Sequence, residues 1–309
     1  MANVRFKHRM EYGFVLILGF FLAHAPYRLA LLKAWILAWI AHWVYGYRKS
    51  DARSRIREVF PHLSHREVSR IAWRSWRNFI FNCVEMFRLH HVTESWIERH
   101  VIGQAQAREF ILNHCKTGVG AVIASPHMGA AEMAAVVMQR FGVPVFLITG
   151  RQKNPLVDRR LNDMRAATQI PLIQKGTSLL RSVIRRLSRG EVLAFLADLR
   201  GKKGGIIVDF LGKTASVAPG MAMFAKQTRV PILPATMTRV GWTRHRLEFL
   251  DPVWPDTELG KAEDQQRMTQ LVFNDIDAAI RREPEQWFWF NKSWILAPVP
   301  EQDKLEASD

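Results

Sequence analysis

Cysteine is scarce in this sequence: Cys83 and Cys115 are the only two among 309 residues. They lie far apart, and neither belongs to a Cys-x2-Cys or Cys/His spacing of the kind that holds a metal ion. The sequence therefore argues against a disulfide framework and a structural zinc site. We expect two reduced thiols and no metal ion.

Several common catalytic and nucleotide-binding motifs are also missing. The sequence has no Gly-x-Ser-x-Gly elbow, which argues against a serine hydrolase of the usual α/β type. It has neither the phosphate-binding loop of nucleotide hydrolases nor the Gly-x-Gly-x-x-Gly fingerprint of dinucleotide-binding domains. No cofactor is predicted.

Acidic residues are few over most of the chain. Residues 1–250 contain 38 Lys and Arg against 15 Asp and Glu, whereas residues 251–309 contain 6 against 13, and the whole chain has a formal net charge of +16. The basic part predicts a polyanionic partner: a nucleic acid, an anionic membrane surface or an anionic substrate. The 11 Trp residues, several beside Arg, suit either a lipid–water interface or stacking on RNA bases.

Among these partners, the composition of the N-terminal segment favours a membrane. Residues 12–27 and 34–47 contain no Asp, Glu, Lys or Arg, but each is shorter than the 18 or so residues of a clean spanning helix. Together they predict a mostly helical anchor with a kink at Pro26 that spans the membrane or lies in its interface. A signal peptide cleaved after Ala25 and a soluble core helix are the alternatives. We predict a membrane segment over residues 1–50, a separate domain over 51–309 and no nucleic-acid partner, with a basic nucleic-acid-binding protein as the alternative.

A long amphipathic helix is predicted next. Ser64 and Glu67 form a capping box, and the apolar stripe that begins at Trp73 and Trp76 continues at helical spacing to about residue 89. A neighbouring basic stripe is either a solvated face or a contact with anionic headgroups. It consists of Arg70, Arg74 and Arg77.

From about residue 104, short apolar runs alternate with helical patterns. The runs predict strands at 119–124, 143–149, 192–197, 206–210 and 230–235, mostly buried on both faces. Helices are predicted at 130–141, 155–168, 177–189, 218–228 and 265–282. This alternation predicts an α/β fold with a mainly parallel central sheet flanked by helices. In such sheets the chemistry lies at the carboxyl ends of the strands.

One histidine follows such a strand end. His127 comes after Ser125-Pro126, Gly129 permits a tight turn, and Glu132 falls in the first turn of the next helix. A carboxylate on one ring nitrogen and an acceptor hydroxyl on the other are what a general base requires. The spacing alone is equally compatible with a structural histidine and with a glutamate favoured by the helix dipole.

Six motifs in order resemble the bacterial lipid A biosynthesis acyltransferases, the late or secondary family, and more distantly the glycerolipid acyltransferases with a His-x4-Asp/Glu motif. The first is a Phe60-Pro61-x-x-Ser64 stretch and the second is His127-x4-Glu132. The others are Asn154-Pro155-Leu156-x-Asp158 with a downstream Arg165, Gly190-Glu191 leading to Asp198, Phe210-x-Gly212 leading to Pro219-Gly220, and Pro284-Glu285-Gln286-Trp287-x-Trp289. Pro126 before the histidine and Phe290-Asn291-Lys292 after the last motif depart from the family pattern.

The resemblance implies roles for these residues. His127 is expected to act as the base, Glu132 to orient it, and amides near Gly129 to stabilise an oxyanion. Arg165 is expected to bind a phosphate of the acceptor or of the carrier, Asp198 to orient Arg165 or a sugar hydroxyl, and Arg151 to contribute a further positive charge.

The resemblance also implies a reaction and a place. The acyl donor is expected to be a thioester of acyl carrier protein or of coenzyme A. The expected acceptor is a hydroxyl of an anionic glycolipid, a lipid A precursor in outer-membrane lipopolysaccharide biosynthesis or another glycolipid such as a phosphatidylinositol mannoside. The catalytic domain is expected on the cytoplasmic side of the inner membrane.

Overall fold

The computed structural model describes residues 5–150, 153–176, 178–201 and 204–297. Its helices are α1 (Phe6–His24), α2 (Tyr27–Trp39), α3 (Lys49–Val59), α4 (His65–Met86), α5 (Glu94–His100), α6 (Gln104–Cys115), α7 (Ala131–Arg140), α8 (Pro155–Ala166), α9 (Leu179–Leu187), α10 (Gly220–Thr228) and α11 (Lys261–Arg282). Its strands are β1 (Val101–Ile102), β2 (Ala121–Ser125), β3 (Val145–Thr149), β4 (Leu172–Gln174), β5 (Val192–Leu196), β6 (Ile206–Phe210), β7 (Lys213–Val217), β8 (Ile232–Val240) and β9 (Arg244–Phe249).

A mixed seven-stranded sheet forms the centre, in the order β1-β9-β8-β2-β5-β3-β4. All neighbouring strands in it are parallel except β8 and β9, which form an antiparallel pair. Along β2, Val122 and Ala124 belong to one apolar core, and Ala121 and Ile123 belong to the other. The predicted α/β architecture with a mainly parallel sheet, buried on both faces at its centre, is therefore confirmed.

The strand at 206–210 has the predicted bounds but does not belong to the central sheet. It pairs with β7 in a separate two-stranded antiparallel sheet, so its assignment to the parallel layer was wrong. Leu211 and Gly212 both have positive φ values, 53° and 78°, as the central residues of a tight hairpin turn do. Residues of β6 are unevenly buried, with Asp209 exposed, because this hairpin lies outside the central layer.

Helix α4 begins as predicted. Ser64 Oγ accepts a hydrogen bond from the Glu67 backbone amide, and Glu67 Oε2 accepts one from the Ser64 amide. The apolar stripe of α4 packs against the N-terminal helices, where Trp73 contacts the ring of Trp35 edge-on. Trp76 of this stripe is buried, and Trp73 is half-buried against the core.

The predicted basic stripe on α4 is only partly free. Arg74 pairs with Glu285 at 3.2 Å, and Arg77 is half-buried, with its guanidinium beside Asn78 and over the ring of Phe81. Burial and neighbouring arginines lower the pKa of Arg77 to about 10. Arg70 is exposed, so the contact with headgroups that the spacing allowed rests mainly on this residue.

The N-terminal segment breaks at Pro26, as predicted, into α1 and α2. Within the described residues, no single helix is long and apolar enough to cross a membrane; by length and composition, only the pair Tyr27–Val44 and Lys49–Val59, bent by 86°, passes that test. On α2, small and apolar residues such as Ala30 and Ala34 are buried, while Leu32 and Ile36 are exposed. The division of the chain at residue 50 stays a prediction.

Candidate active site

The site forms where two parallel strands end side by side. Ser125, the last residue of β2, pairs in register with Leu196, the last residue of β5. His127 and Asp198 each lie two residues beyond this pair, so both side chains reach the same edge of the sheet. This is the carboxyl edge at which the sequence predicted the chemistry.

His127 and Asp198 form a close, directed pair. The imidazole Nδ1 lies 2.6 Å from Asp198 Oδ1, and the His127 backbone amide donates to Asp198 Oδ2 at 2.9 Å. Trp287 Nε1 donates to the same Oδ2 at 2.7 Å. The Asp198 side chain is 3% exposed and that of His127 is 31% exposed. With Nδ1 engaged, the other ring nitrogen remains for a substrate.

The partner of His127 differs from the predicted one. Glu132 was expected to bind the ring, but Asp198 holds Nδ1, and the Glu132 carboxylate instead accepts a hydrogen bond from Arg165 Nη2 at 2.8 Å. Of the two roles expected for Asp198, Arg165 is instead held by Glu132, and an interaction of Asp198 with a sugar hydroxyl stays a prediction. The reason is topological, because β5 lies beside β2 and brings Asp198 to the ring. A catalytic role for Glu132 stays a prediction.

The two coupled groups shift each other's ionisation. Burial disfavours the imidazolium of His127, but the charge and hydrogen bond of Asp198, with a further contribution from Glu132, more than offset this effect, so the pKa of His127 is raised. Burial opposes ionisation of Asp198, but His127, Trp287 and the backbone amide hold its pKa below the usual range. Asp198 is therefore a fixed carboxylate that stabilises a protonated His127.

Backbone bonds fix the turn that follows His127. Gly129 has φ 56°, and a Cβ atom there would lie 2.0 Å from the Met237 carbonyl oxygen, so only glycine fits. The Gly129 amide donates to the Gln286 carbonyl, and the Ala130 amide donates to that of Met237. These two amides are therefore already engaged, and the predicted oxyanion donors near Gly129 stay a prediction that falls on the amides that follow.

The next backbone amides along the chain are candidate oxyanion donors. Ala131 and Glu132 open α7, and the preceding Ala130 has no side chain that can accept their backbone hydrogen bonds. The first amides of an α-helix have no acceptor within the helix and favour negative charge. Ala131 and Glu132 line the same cavity as His127.

Two cavities share part of their lining near the start of α7, and His127 lines the first of them. The first has a volume of about 180 Å³ and is lined mainly by apolar side chains such as Phe79, Met86 and Phe288, together with His127. The second has a volume of about 430 Å³ and is lined mainly by apolar side chains of the strands and helices, together with Arg165 and Lys175. Ala131, Glu132 and Leu196 line both cavities. The cavities therefore adjoin at these three residues.

The remaining predicted residues and groups can now be placed. Arg151 lies outside the described residues. Cys83 and Cys115 are free thiols, as predicted. In the part of the chain that the structure describes, no group of three or more His, Cys, Asp or Glu side chains is arranged to hold a metal ion.

Comparison with known families decides the class of protein. Residues 3–295 match the family model described as bacterial lipid A biosynthesis acyltransferase. The chain belongs to this family. In this acyltransferase His127 lines the first cavity and Glu132 lines both.

Individual relatives of this acyltransferase include enzymes of two named kinds. It is 23% identical over 280 residues to a lipid A biosynthesis acyltransferase of Haemophilus influenzae, covering 87% of this chain and 82% of that one. It is 26% identical over 184 residues to a phosphatidylinositol mannoside acyltransferase of Mycolicibacterium smegmatis, covering 58% of each chain. A lipid A biosynthesis palmitoleoyltransferase of Escherichia coli is 21% identical over 257 residues, covering 82% of this chain and 81% of that one.

Several site residues escaped prediction. Trp287 was recognised only as part of a motif, and nothing in its spacing indicates a hydrogen bond to Asp198. Asn82, Glu85 and Arg239 were not singled out, although an acid at the apolar end of α4 and an arginine within the apolar run of β8 are signals of a buried pair.

Proposed function

We propose that this acyltransferase transfers a fatty acyl group from a thioester of acyl carrier protein or coenzyme A to a hydroxyl of an anionic glycolipid. The first candidate acceptor is a lipid A precursor, in outer-membrane lipopolysaccharide biosynthesis. The observation that supports the proposal is the buried Asp198 held on Nδ1 of His127, beside two adjoining and mainly apolar cavities. Cavities with a mainly apolar lining suit acyl chains.

The reaction follows from the geometry. The free ring nitrogen of His127 removes the proton of the acceptor hydroxyl as that oxygen attacks the thioester carbonyl. Asp198 stabilises the imidazolium that forms. The opening amides of α7 donate to the developing oxyanion. Collapse of the tetrahedral intermediate breaks the carbon–sulfur bond, and the imidazolium returns its proton to the departing thiolate.

Arg165 and Glu132 belong to the substrate side of this scheme. Arg165 is bound to Glu132 at 2.8 Å, and its side chain is 16% exposed. A guanidinium held in this way can receive a phosphate of the acceptor or of the carrier, while Glu132 fixes its direction. Glu132 also adds to the negative potential that favours protonated His127.

The charge and the exposed apolar side chains of the chain suit the proposed donor and a membrane. A formal net charge of +16 favours an acidic carrier protein and anionic headgroups. Exposed apolar side chains on α1 and α2, among them Ile17, Phe20, Leu32 and Ile36, form an apolar surface. Such a surface supports attachment to a membrane, and we propose the cytoplasmic face of the inner membrane as its place.

A second acceptor is favoured by a specific similarity. The relative in Mycolicibacterium smegmatis is named a phosphatidylinositol mannoside acyltransferase, and the matched region covers 58% of each chain. A phosphatidylinositol mannoside shares an anionic phosphate, sugar hydroxyls and acyl chains with a lipid A precursor. The same site chemistry therefore serves either acceptor.

The function is tested with the detergent-solubilised full chain. The protein is incubated with an acyl thioester of acyl carrier protein or of coenzyme A and with each glycolipid in turn. The products are identified by mass spectrometry. We expect one acyl group to be added to a lipid A precursor. Acylation of the mannoside alone supports the second acceptor. Thioester hydrolysis without acylation of either glycolipid would refute the proposal.

Membrane attachment gives a separate prediction. Leu32 and Ile36 are exposed and lie one turn apart on α2. Burying a large apolar side chain contributes about 1.5–3 kcal/mol, so Leu32→Glu together with Ile36→Glu should weaken binding to anionic vesicles by at least about tenfold. Binding is measured by vesicle sedimentation.

A matched leucine provides the control for this prediction. Leu271 is exposed to a similar degree, 41% against 44% for Leu32, but lies on α11. Leu271→Glu should leave vesicle binding unchanged. Equal sedimentation of the double variant and the wild-type protein would exclude the α2 surface as the attachment site.

A further inference from the structure

A buried ion pair lies behind the catalytic turn. Arg239 on β8 and Glu85 on α4 join through two hydrogen bonds, Nη1 to Oε1 at 2.7 Å and Nη2 to Oε2 at 2.5 Å. Their side chains are 0% and 3% exposed. Tyr27 also donates to Glu85 Oε1, at 2.5 Å. A buried ion pair often stabilises a fold no more than apolar residues of the same volume would. The other hydrogen bonds of this pair therefore indicate what else it does.

The pair reaches the catalytic turn through Asn82. Arg239 Nη2 donates to Asn82 Oδ1 at 2.8 Å, and Asn82 Nδ2 donates to the carbonyl oxygen of Gly129. Asn82 lies one turn before Glu85 on α4 and lines the first cavity. Because Arg239 occupies its oxygen, the direction of the Asn82 amide group is fixed towards Gly129.

The same arginine supports the turn from a second side. The Arg239 backbone amide donates to Gln286 Oε1 at 3.0 Å, and Gln286 Nε2 donates to the Arg239 carbonyl at 2.9 Å. The backbone carbonyl of Gln286 in turn accepts from the Gly129 amide at 2.9 Å. Both polar groups of the Gly129 backbone are therefore held by residues that Arg239 orients.

Gly129 lies between the proposed base and the proposed oxyanion donors. His127 is two residues before it, and Ala131, which opens α7, is two residues after it. Any rotation of the peptide that carries the Gly129 carbonyl changes the direction of α7 relative to the imidazole. A displacement of about 1 Å at a reacting centre can cost about 100-fold in rate.

We propose that Asn82, oriented by the Arg239–Glu85 pair, is a positioning residue that fixes the Gly129 peptide and so aligns the first amides of α7 with His127. This inference rests on the proposed acyl transfer. Asn82 does not take part in the proton transfer. It determines where the oxyanion donors lie.

Two variants of Asn82 test the proposal. Asn82→Ala removes the contact, and Asn82→Asp keeps the size and the acceptor for Arg239 but replaces the donor to Gly129 with an oxygen. Turnover to the glycolipid is measured per folded molecule, together with KM for both substrates and the pH profile. We expect kcat to fall roughly 10- to 100-fold in both variants. KM and the acid limb of the profile should change little, because Asp198 still holds His127.

Tyr27→Phe is the matched control. It removes a hydrogen bond to Glu85 at the far end of the same network and leaves the contact between Asn82 and Gly129 in place. It should lower the melting temperature while kcat stays near the wild-type value. This separates alignment of the turn from general stability of the network.

The outcomes distinguish this inference from the proposed function. If the wild-type protein acylates no glycolipid, the proposed function fails, and this inference fails with it. If the wild-type protein is active, the inference alone is overturned by an unchanged kcat per folded molecule in the Asn82 variants. It is also overturned by a rise in KM at constant kcat, or by an equal loss of kcat in Tyr27→Phe.

Discussion

The variant His127→Ala is expected to lose roughly two to four orders of magnitude in turnover, the usual contribution of a positioned general base. The side chain lies at the edge of the sheet and is 31% exposed, so its loss removes a chemical group and little packing. The variant should stay folded and bind vesicles as the wild-type protein does. Transfer of a labelled acyl group to the glycolipid gives the rate, and the melting temperature reports the fold.

His62→Ala provides the control for this prediction, because His62 is exposed in the segment between α3 and α4. It should transfer acyl groups at the wild-type rate. A folded His127→Ala protein with near wild-type transfer would remove His127 from the mechanism. The carry-over of the family's catalytic residues to this chain would then have no support.

Asp198→Asn is expected to lower turnover by roughly 10³- to 10⁴-fold, as the same change does in other histidine–aspartate pairs. The asparagine keeps the shape of the side chain but removes the charge that stabilises the imidazolium. It also presents an amide where the ring Nδ1–H donates, which favours the wrong tautomer. Because Asp198 and His127 act on one proton transfer, the double variant should be little slower than the slower single variant.

The control for this prediction is Asp251→Asn, which neutralises an exposed aspartate after β9. Its turnover should match that of the wild-type protein. Losses that add fully in the Asp198 and His127 double variant would show that the two residues act independently, and a folded Asp198→Asn protein with wild-type turnover would leave Glu132 as the orienting group.

The sequence predicted local structure well, because the signals for it are local. The capping box at Ser64 is read from two residues, and the strand, turn and helix around His127 are read from an apolar run, Pro126 and Gly129. The break at Pro26 follows from the missing amide of proline. Each of these features depends on neighbours along the chain.

The carboxylate partner of His127 could not be predicted in this way. Asp198 is 71 residues away from His127, and it reaches the ring only because β5 lies next to β2 in the sheet. Periodicity identifies strands but does not give their order. Glu132, five residues away, was the nearer choice in sequence, but the first turn of α7 directs it to Arg165.

The antiparallel strand β9 was missed for a related reason. The strand β9 reads Arg-His-Arg-Leu-Glu-Phe, a polar pattern with little apolar alternation. His245 on β9 is fully buried beside Glu85, and Arg239 on the neighbouring β8 is buried with it. A strand with buried charged residues lacks the apolar alternation by which strands are predicted. Burial of these charged residues is possible because they pair with each other.

The pH dependence of turnover tests the central claim, that Asp198 holds His127 as the base, most directly. Activity requires neutral His127, whose pKa is raised, so the acid limb of the wild-type profile should lie above the ordinary histidine value of about 6.5. In Asp198→Asn the negative charge that raises the pKa of His127 is removed, whereas burial still lowers that pKa. The acid limb should therefore move to lower pH. Glu132→Gln should move it in the same direction by less. A larger shift in Glu132→Gln than in Asp198→Asn, or an acid limb that stays in place in Asp198→Asn, would contradict the account.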